Sequence, residues 1–236
     1  MNAPAVTLET LRRLGEFDTC TVANAIESFR VRLRNEGFSN SSISCRIPKL
    51  PVVVGLAVTL RVKSSEPSMK EGYYLGGPDW WERLEIEPSE YPRILVIEDV
   101  DHHPGRGALV GTIHACIIKA LGCVGVVTNG SVRGLERFEQ YGLQAFSAGV
   151  SPSHAFGHAV AAGVPVEIAG MRIGPGDILL GDRHGIITVP AGIAPELPDA
   201  AMRFRAQETR LCDFCASSGF SPPALRRLIE TESSGR

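Results

Sequence analysis

Two short stretches of this chain bring together the residue types needed to hold an anion. The first, DHHPGRGALVGTIH (101–114), ends in a glycine, a threonine and a histidine at the start of a helical pattern. The second, NGSVRG (Asn129 to Gly134), carries an arginine just before another helical pattern. Backbone N–H groups at a helix start have no acceptor within the helix, and a guanidinium offers a planar fork of donors; together they suit a carboxylate or a phosphate. The candidate ligand contacts are therefore Gly111, Thr112, Ile113, His114, Asn129, Gly130 and Arg133. Arg133 and His114 are the candidates for chemistry, since an imidazole can take or give a proton near neutral pH. The plain alternative is that the glycines only make tight turns and Arg133 pairs with a surface acid.

Other constellations in the chain carry competing readings of the same kind. Gly105, Gly107 and Gly111 are spaced one residue wider than a dinucleotide fingerprint, and the second strand ends in Asn129 where a ribose-binding acid would be wanted. Glu98, Asp99 and Asp101, next to His102 and His103, form a mixed set of carboxylates and imidazoles, so Asp99 and Asp101 are candidate metal ligands; the competing reading is a solvated acidic loop. His154 and His158 would align if their segment were helical, but no third ligand lies near, which favours structural hydrogen bonding. Cys212 and Cys215 form a CxxC inside a helical pattern without a second pair at a zinc-like spacing, so packing is expected of them. Asp182, Arg183 and His184 are equally open to a turn-shaping role and a role in the site.

These residues need elements to position them. RILVIEDV (93–100), a glycine-rich link, a helix through Leu121, VGVVTN (124–129) and a second short helix make a β-loop-α-β-loop-α pattern. A right-handed crossover then makes the strands parallel and brings both following loops to one edge of the sheet. Thr112 is the expected N-cap, ahead of a stripe of Ile113, Ile117 and Leu121. PVVVGLAVTLRV (51–62) is a further strand, rich in β-branched residues. Helices are expected over Thr7 to Leu14 and over Thr21 to Arg34, the latter with Val22, Ala25, Ile26, Phe29 and Leu33 on one face. Ser64 to Pro92 is an irregular excursion whose Trp80 and Trp81 serve packing or a subunit contact, and a helix over Pro195 to Ala216 precedes a tail from Ser217.

Composition narrows the function classes. The chain has 236 residues, 44% hydrophobic and 21% charged, with no apolar run near the roughly 18 residues of a membrane span. Its net charge of -2 comes from 24 basic and 26 acidic residues spread along the chain, so no basic field exists for nucleic acid. No secretory leader pattern opens the sequence, which gives a cytoplasmic expectation with the six cysteines reduced. One domain over 1–236 is expected.

GALVGTIHACIIKALGCVGVVTNGSVRG followed by GVPVEIAGMRIGPGDILLGDRHGIITVP resembles the core of RraA-like proteins, over about residues 19–190. That family includes the 4-hydroxy-4-methyl-2-oxoglutarate aldolases, which also decarboxylate oxaloacetate, and the regulator of ribonuclease E activity A. The resemblance implies an α/β fold like the swivelling β/β/α domain, a mixed sheet with flanking helices, and a homotrimer or homohexamer. It implies that the backbone of Gly111, Thr112, Ile113 and His114 cradles a pyruvyl group clamped by Arg133, beside a divalent metal, magnesium or manganese. The sequence departs from the pattern at two places: Gly134 stands where the aldolases have their metal-binding aspartate, and Gly111-Thr112 where relatives often have a glycine and a glutamate. The expectation is a carbon-carbon lyase for a small 2-oxo carboxylic acid with an altered metal site. The alternatives are metal-free chemistry on another carboxylate, or a non-catalytic binding protein on the same scaffold.

Overall fold

The computed structural model describes residues 6–67 and 90–234, so Trp80 and Trp81 lie outside the described residues. Two helices open the chain, each started by a side-chain cap. Thr7 Oγ1 accepts from Thr10 N ahead of α1 (Leu8–Leu14), and Asp18 accepts from Thr21 N ahead of α2 (Thr19–Phe29). α2 stops five residues short of the expected Arg34, because Arg30 turns left-handed at φ 54°. Leu33, expected on the buried face, is exposed as a result.

The remaining order is β1 (Ser44–Cys45), β2 (Val53–Lys63), β3 (Arg93–Asp99), β4 (Ala108–Val110), α3 (Thr112–Ala120), β5 (Cys123–Val132), α4 (Leu135–Gln140) and β6 (Gln144–Val150). Then come β7 (His158–Ala162), β8 (Val166–Ile168), β9 (Met171–Ile173), β10 (Ile178–Asp182), β11 (Gly185–Val189), α5 (Leu197–Ala216) and α6 (Pro222–Ser234). β2, β3, β5 and β6 are parallel neighbours, and the β3–β5 pair is the one the crossover argument requires. β10 and then β11 extend the sheet antiparallel beyond β2, and β1 caps β6 at the other side. The sheet is nearly closed, because the segment leading into β1 hydrogen-bonds to β11: Ser39 N donates to Ile186 O and Thr188 N to Gly37 O. This mixed, nearly closed sheet with flanking helices is the expected fold class.

Alternation along the strands divides the core. Ile94 and Val96 of β3 face the sheet's interior with Phe146 and the β8–β9 hairpin, whereas Leu95 and Ile97 face α3 and α4. α1, α2 and the start of α5 cover the outer face of β10 and β11. The face α3 buries differs from the expected stripe: His114, Ala115 and Ile118 point inward, while Ile113 is 59% exposed.

The C-terminal helix lies as expected. From Pro222, however, the expected tail forms α6, folded back on α5 through a bidentate ion pair of Arg210 with Glu232. Cys212 and Cys215 are exposed on α5 rather than packed. No helix among the described residues is long and apolar enough to cross a membrane.

Candidate functional site

The parallel strands carry their following loops to one edge, and there the two stretches singled out by residue type meet. They do so with a difference. β5 continues through Val132, so Asn129 to Val132 is strand rather than loop, with β4 laid alongside it. Asn129 completes the ladder with its side chain: Oδ1 accepts from Asp99 N at 2.7 Å and Nδ2 donates to Asp99 O at 3.0 Å. Its amide is thus engaged in joining β3 to β5, and Gly130 packs under Leu109.

Gly111, not Thr112, is the N-cap of α3, and no side chain caps the helix. The first intrahelical bond runs from Ala115 N to Gly111 O, so the helix supplies no acceptor for the N–H groups of residues 112–114. Arg133 N donates to Val110 O, which fixes the arginine beside this helix start. A Cβ on Gly111 would lie 3.1 Å from Arg133 Nε and 3.2 Å from its Cγ. The guanidinium arm therefore crosses the cap at a distance that only glycine leaves comfortable, and its Nη1 donates to Pro152 O at 2.8 Å.

His114 lies inside this arrangement, 6% exposed. Burial, then the charges of Arg133 and His154, hold its imidazole down to about 4, so it is neutral at physiological pH and a poor acid there. His154 and His158 each hydrogen-bond through Nδ1 to a carbonyl of their own segment, the structural role expected of them. That segment is not helical and does not align the two; the loop after β6 instead carries His154 towards Arg133 and His114. The parallel placement of β6 was the signal for this, since that strand delivers its following loop to the same edge as β3 and β5.

Gly134 has φ 66°, and a Cβ there would fall 2.4 Å from Thr112 Oγ1. Gly134 and Thr112 thus face each other, and the threonine hydroxyl fills the space a side chain at 134 would enter. The nearby acids are engaged within the loops. Asp99 is buried, accepting from Gly105 N and Asp101 N, and burial raises its carboxyl above the usual range. Asp101 is partly desolvated, but hydrogen bonds from Ser65 and Ser64 outweigh this and hold it at about 2. Among the described residues no group of three or more histidines, cysteines or acids is placed to hold a metal ion.

Asp182, Arg183 and His184 lie at the other end of the sheet, because β10 runs antiparallel to β2 and ends past Val53. Asp182 accepts from Thr19 N, Thr19 Oγ1 and His184 N, which ties the start of α2 to the β10–β11 turn.

A model of the RraA-like family (Aldolase/RraA) matches residues 19–188. The uncharacterized protein MJ0644 of Methanocaldococcus jannaschii is 25% identical over 136 residues, covering 56% of this chain and 64% of that protein, so the match spans less than two thirds of that relative's length. Among solved structures, an uncharacterized protein from Pseudomonas syringae pv. tomato shares the fold with a TM-score of 0.73 at 20% identity, covering 98% of this chain and 97% of its own. Streptomyces coelicolor RraAS2, described as an unusual member of the RNase ES inhibitor RraA family, has a TM-score of 0.67 at 23% identity, covering 87% of this chain and 96% of its own.

Proposed function

This chain belongs to the RraA-like family, which holds both aldolase-type members and RNase E inhibitors, and on that premise we propose that it is a carbon-carbon lyase of the aldolase or decarboxylase type acting on a small 2-oxo carboxylic acid. The observation that carries the reading is the arm of Arg133 lying across Gly111, over helix N–H groups that have no intrahelical acceptor. Such a pair of donors receives a carboxylate in the ground state. It also holds the oxygen on which negative charge grows when the adjacent bond breaks.

The divalent magnesium or manganese ion of the family does not fit the residues present. Position 134 has no side chain, Thr112 offers a neutral hydroxyl in its place, and Asp99 and Asp101 are engaged by loop N–H groups. In this reading the enolate charge is taken by Arg133 and the first-turn amides. For oxaloacetate, the bond to the departing carboxyl group breaks, carbon dioxide leaves, and the electron pair remains as the enolate of pyruvate.

A homo-oligomer, trimer or hexamer, is part of the proposal. It is supported by Ile113, Val150 and Phe156, large apolar side chains that are 59%, 61% and 56% exposed on the segments that carry this edge. The neutral pair Gly134 and Thr112 favours one second reading, a protein that binds the acid without turning it over. The test is oxaloacetate loss, followed by absorbance, in a chelating buffer. Turnover that survives chelation supports the lyase, turnover that needs added metal refutes the metal-free assignment, and oxalate binding without turnover supports the second reading.

A further inference from the structure

We propose that His154, on the loop after β6, is a further catalytic residue, the proton donor that converts the bound enolate into the keto product. The proposal rests on the lyase reading above and on where the loop is held. Ala108 N donates to Ser153 O at 2.7 Å and Arg133 Nη1 to Pro152 O at 2.8 Å, so the residues before His154 are tied to β4 and to the arginine assigned to the anion. The contact continues at His154 itself: a Cβ on Gly107 would come within 2.7 Å of His154 O, and the glycine lets the two backbones touch.

The next residue is strained. Ala155 is a non-glycine residue at φ 46°, a left-handed conformation that L-residues rarely adopt. Three hydrogen bonds hold the turn around it: Ala155 N to Ser153 Oγ, Gly157 N to His154 O, and Phe156 N to Ser64 O, each at 3.1 Å. The strained turn brings Ala155 O to 2.7 Å from His154 Nδ1. A carbonyl can only accept, so Nδ1 carries the hydrogen, and the second proton comes and goes at Nε2. The turn thus fixes both the ring and the nitrogen that exchanges.

His114, the histidine named by its place in the cradle, is unsuited to this task because it is buried and neutral. His154 is exposed to water. The other charged and titratable groups on the elements packed around the loop are Arg133, His114, Arg106 before β4, Asp101 beneath Ser64 and Ser65, and His158 at the start of β7. The step balances. The enolate oxygen re-forms its carbonyl, the carbon that lost carbon dioxide takes the Nε2 proton of the imidazolium, and neutral His154 regains a proton from water.

The reverse step, removal of a methyl proton from pyruvate by neutral His154, is measurable as exchange of those protons with deuterium oxide by proton NMR. Wild type and His154→Gln are compared, with oxalate affinity measured by calorimetry as a parallel readout that needs no proton transfer. The expected result is that His154→Gln binds oxalate within about twofold of wild type at pH 8, while exchange falls by at least about 100-fold. Equal exchange in the two proteins overturns the role of His154 and leaves the lyase reading standing. Oxalate binding without any exchange by wild type also overturns the donor role while the pocket stands. Absence of oxalate binding in both proteins overturns the pocket, and the donor role with it.

Discussion

Replacing His114 with glutamine should change how stability depends on pH, and the size of the change follows from the site. In the folded chain, burial together with Arg133 and His154 holds this imidazole at about 4, against 6.5 when unperturbed. Between those values the unfolded chain binds a proton that the folded chain refuses, so stability declines as pH falls. The contribution of neutral His114 is complete above about pH 6.5 and is lost as pH falls through about 4. At about 1.4 kcal/mol per pH unit, the swing is on the order of 3 kcal/mol. Urea unfolding of wild type and His114→Gln, repeated from pH 8 down to pH 4.5, isolates it. The variant has its own offset, from lost packing, but the difference between the two proteins should move by about 2–3 kcal/mol in the variant's favour on acidification. Parallel curves would show that His114 is not held neutral by its surroundings, and the assignment of an acid role away from it would fail.

Gly134→Asp should lower the thermal midpoint by several degrees, since a left-handed L-residue costs about 1 kcal/mol and the overlap with Thr112 Oγ1 adds a similar amount. Adding Thr112→Ala should recover about half of the loss; an unchanged midpoint in the single variant would contradict the close approach of these two positions. Asn129→Ala leaves the buried N–H and C=O of Asp99 without their partners and should cost about 1–3 kcal/mol in urea unfolding. A loss under about 0.5 kcal/mol would show that the amide does not join β3 to β5.

The parallel pair of β3 and β5 was legible because both are short apolar runs separated by a link long enough for a crossover helix, and the meeting of Arg133 with Gly111 followed from it. What local pattern missed has physical causes. NGS reads as a turn, yet pairing with β4 and the side chain of Asn129 hold it as strand. Thr112 has the chemistry of a cap, but its hydroxyl lies beside Gly134 and the helix starts from Gly111. The buried stripe of α3 is displaced to His114, Ala115 and Ile118, because Ile113 is left at the open edge. Pro152, whose carbonyl accepts from Arg133, lies 19 residues further along the chain, and only the three-dimensional course of β6 brings it there. In the same way α2 ends at Arg30, where the chain turns left-handed before the helical pattern runs out.

The central claim, that Arg133 and the start of α3 bind a small 2-oxo acid, is tested most directly by titrating oxalate, a stable analogue of the pyruvate enolate, into wild type and Arg133→Ala by calorimetry. A charge-assisted bidentate contact contributes a few kcal/mol, so the account predicts measurable binding to wild type and an affinity about 100-fold weaker in the variant, with the thermal midpoint little changed. Equal affinities in the two proteins would remove Arg133 from the site and contradict the account.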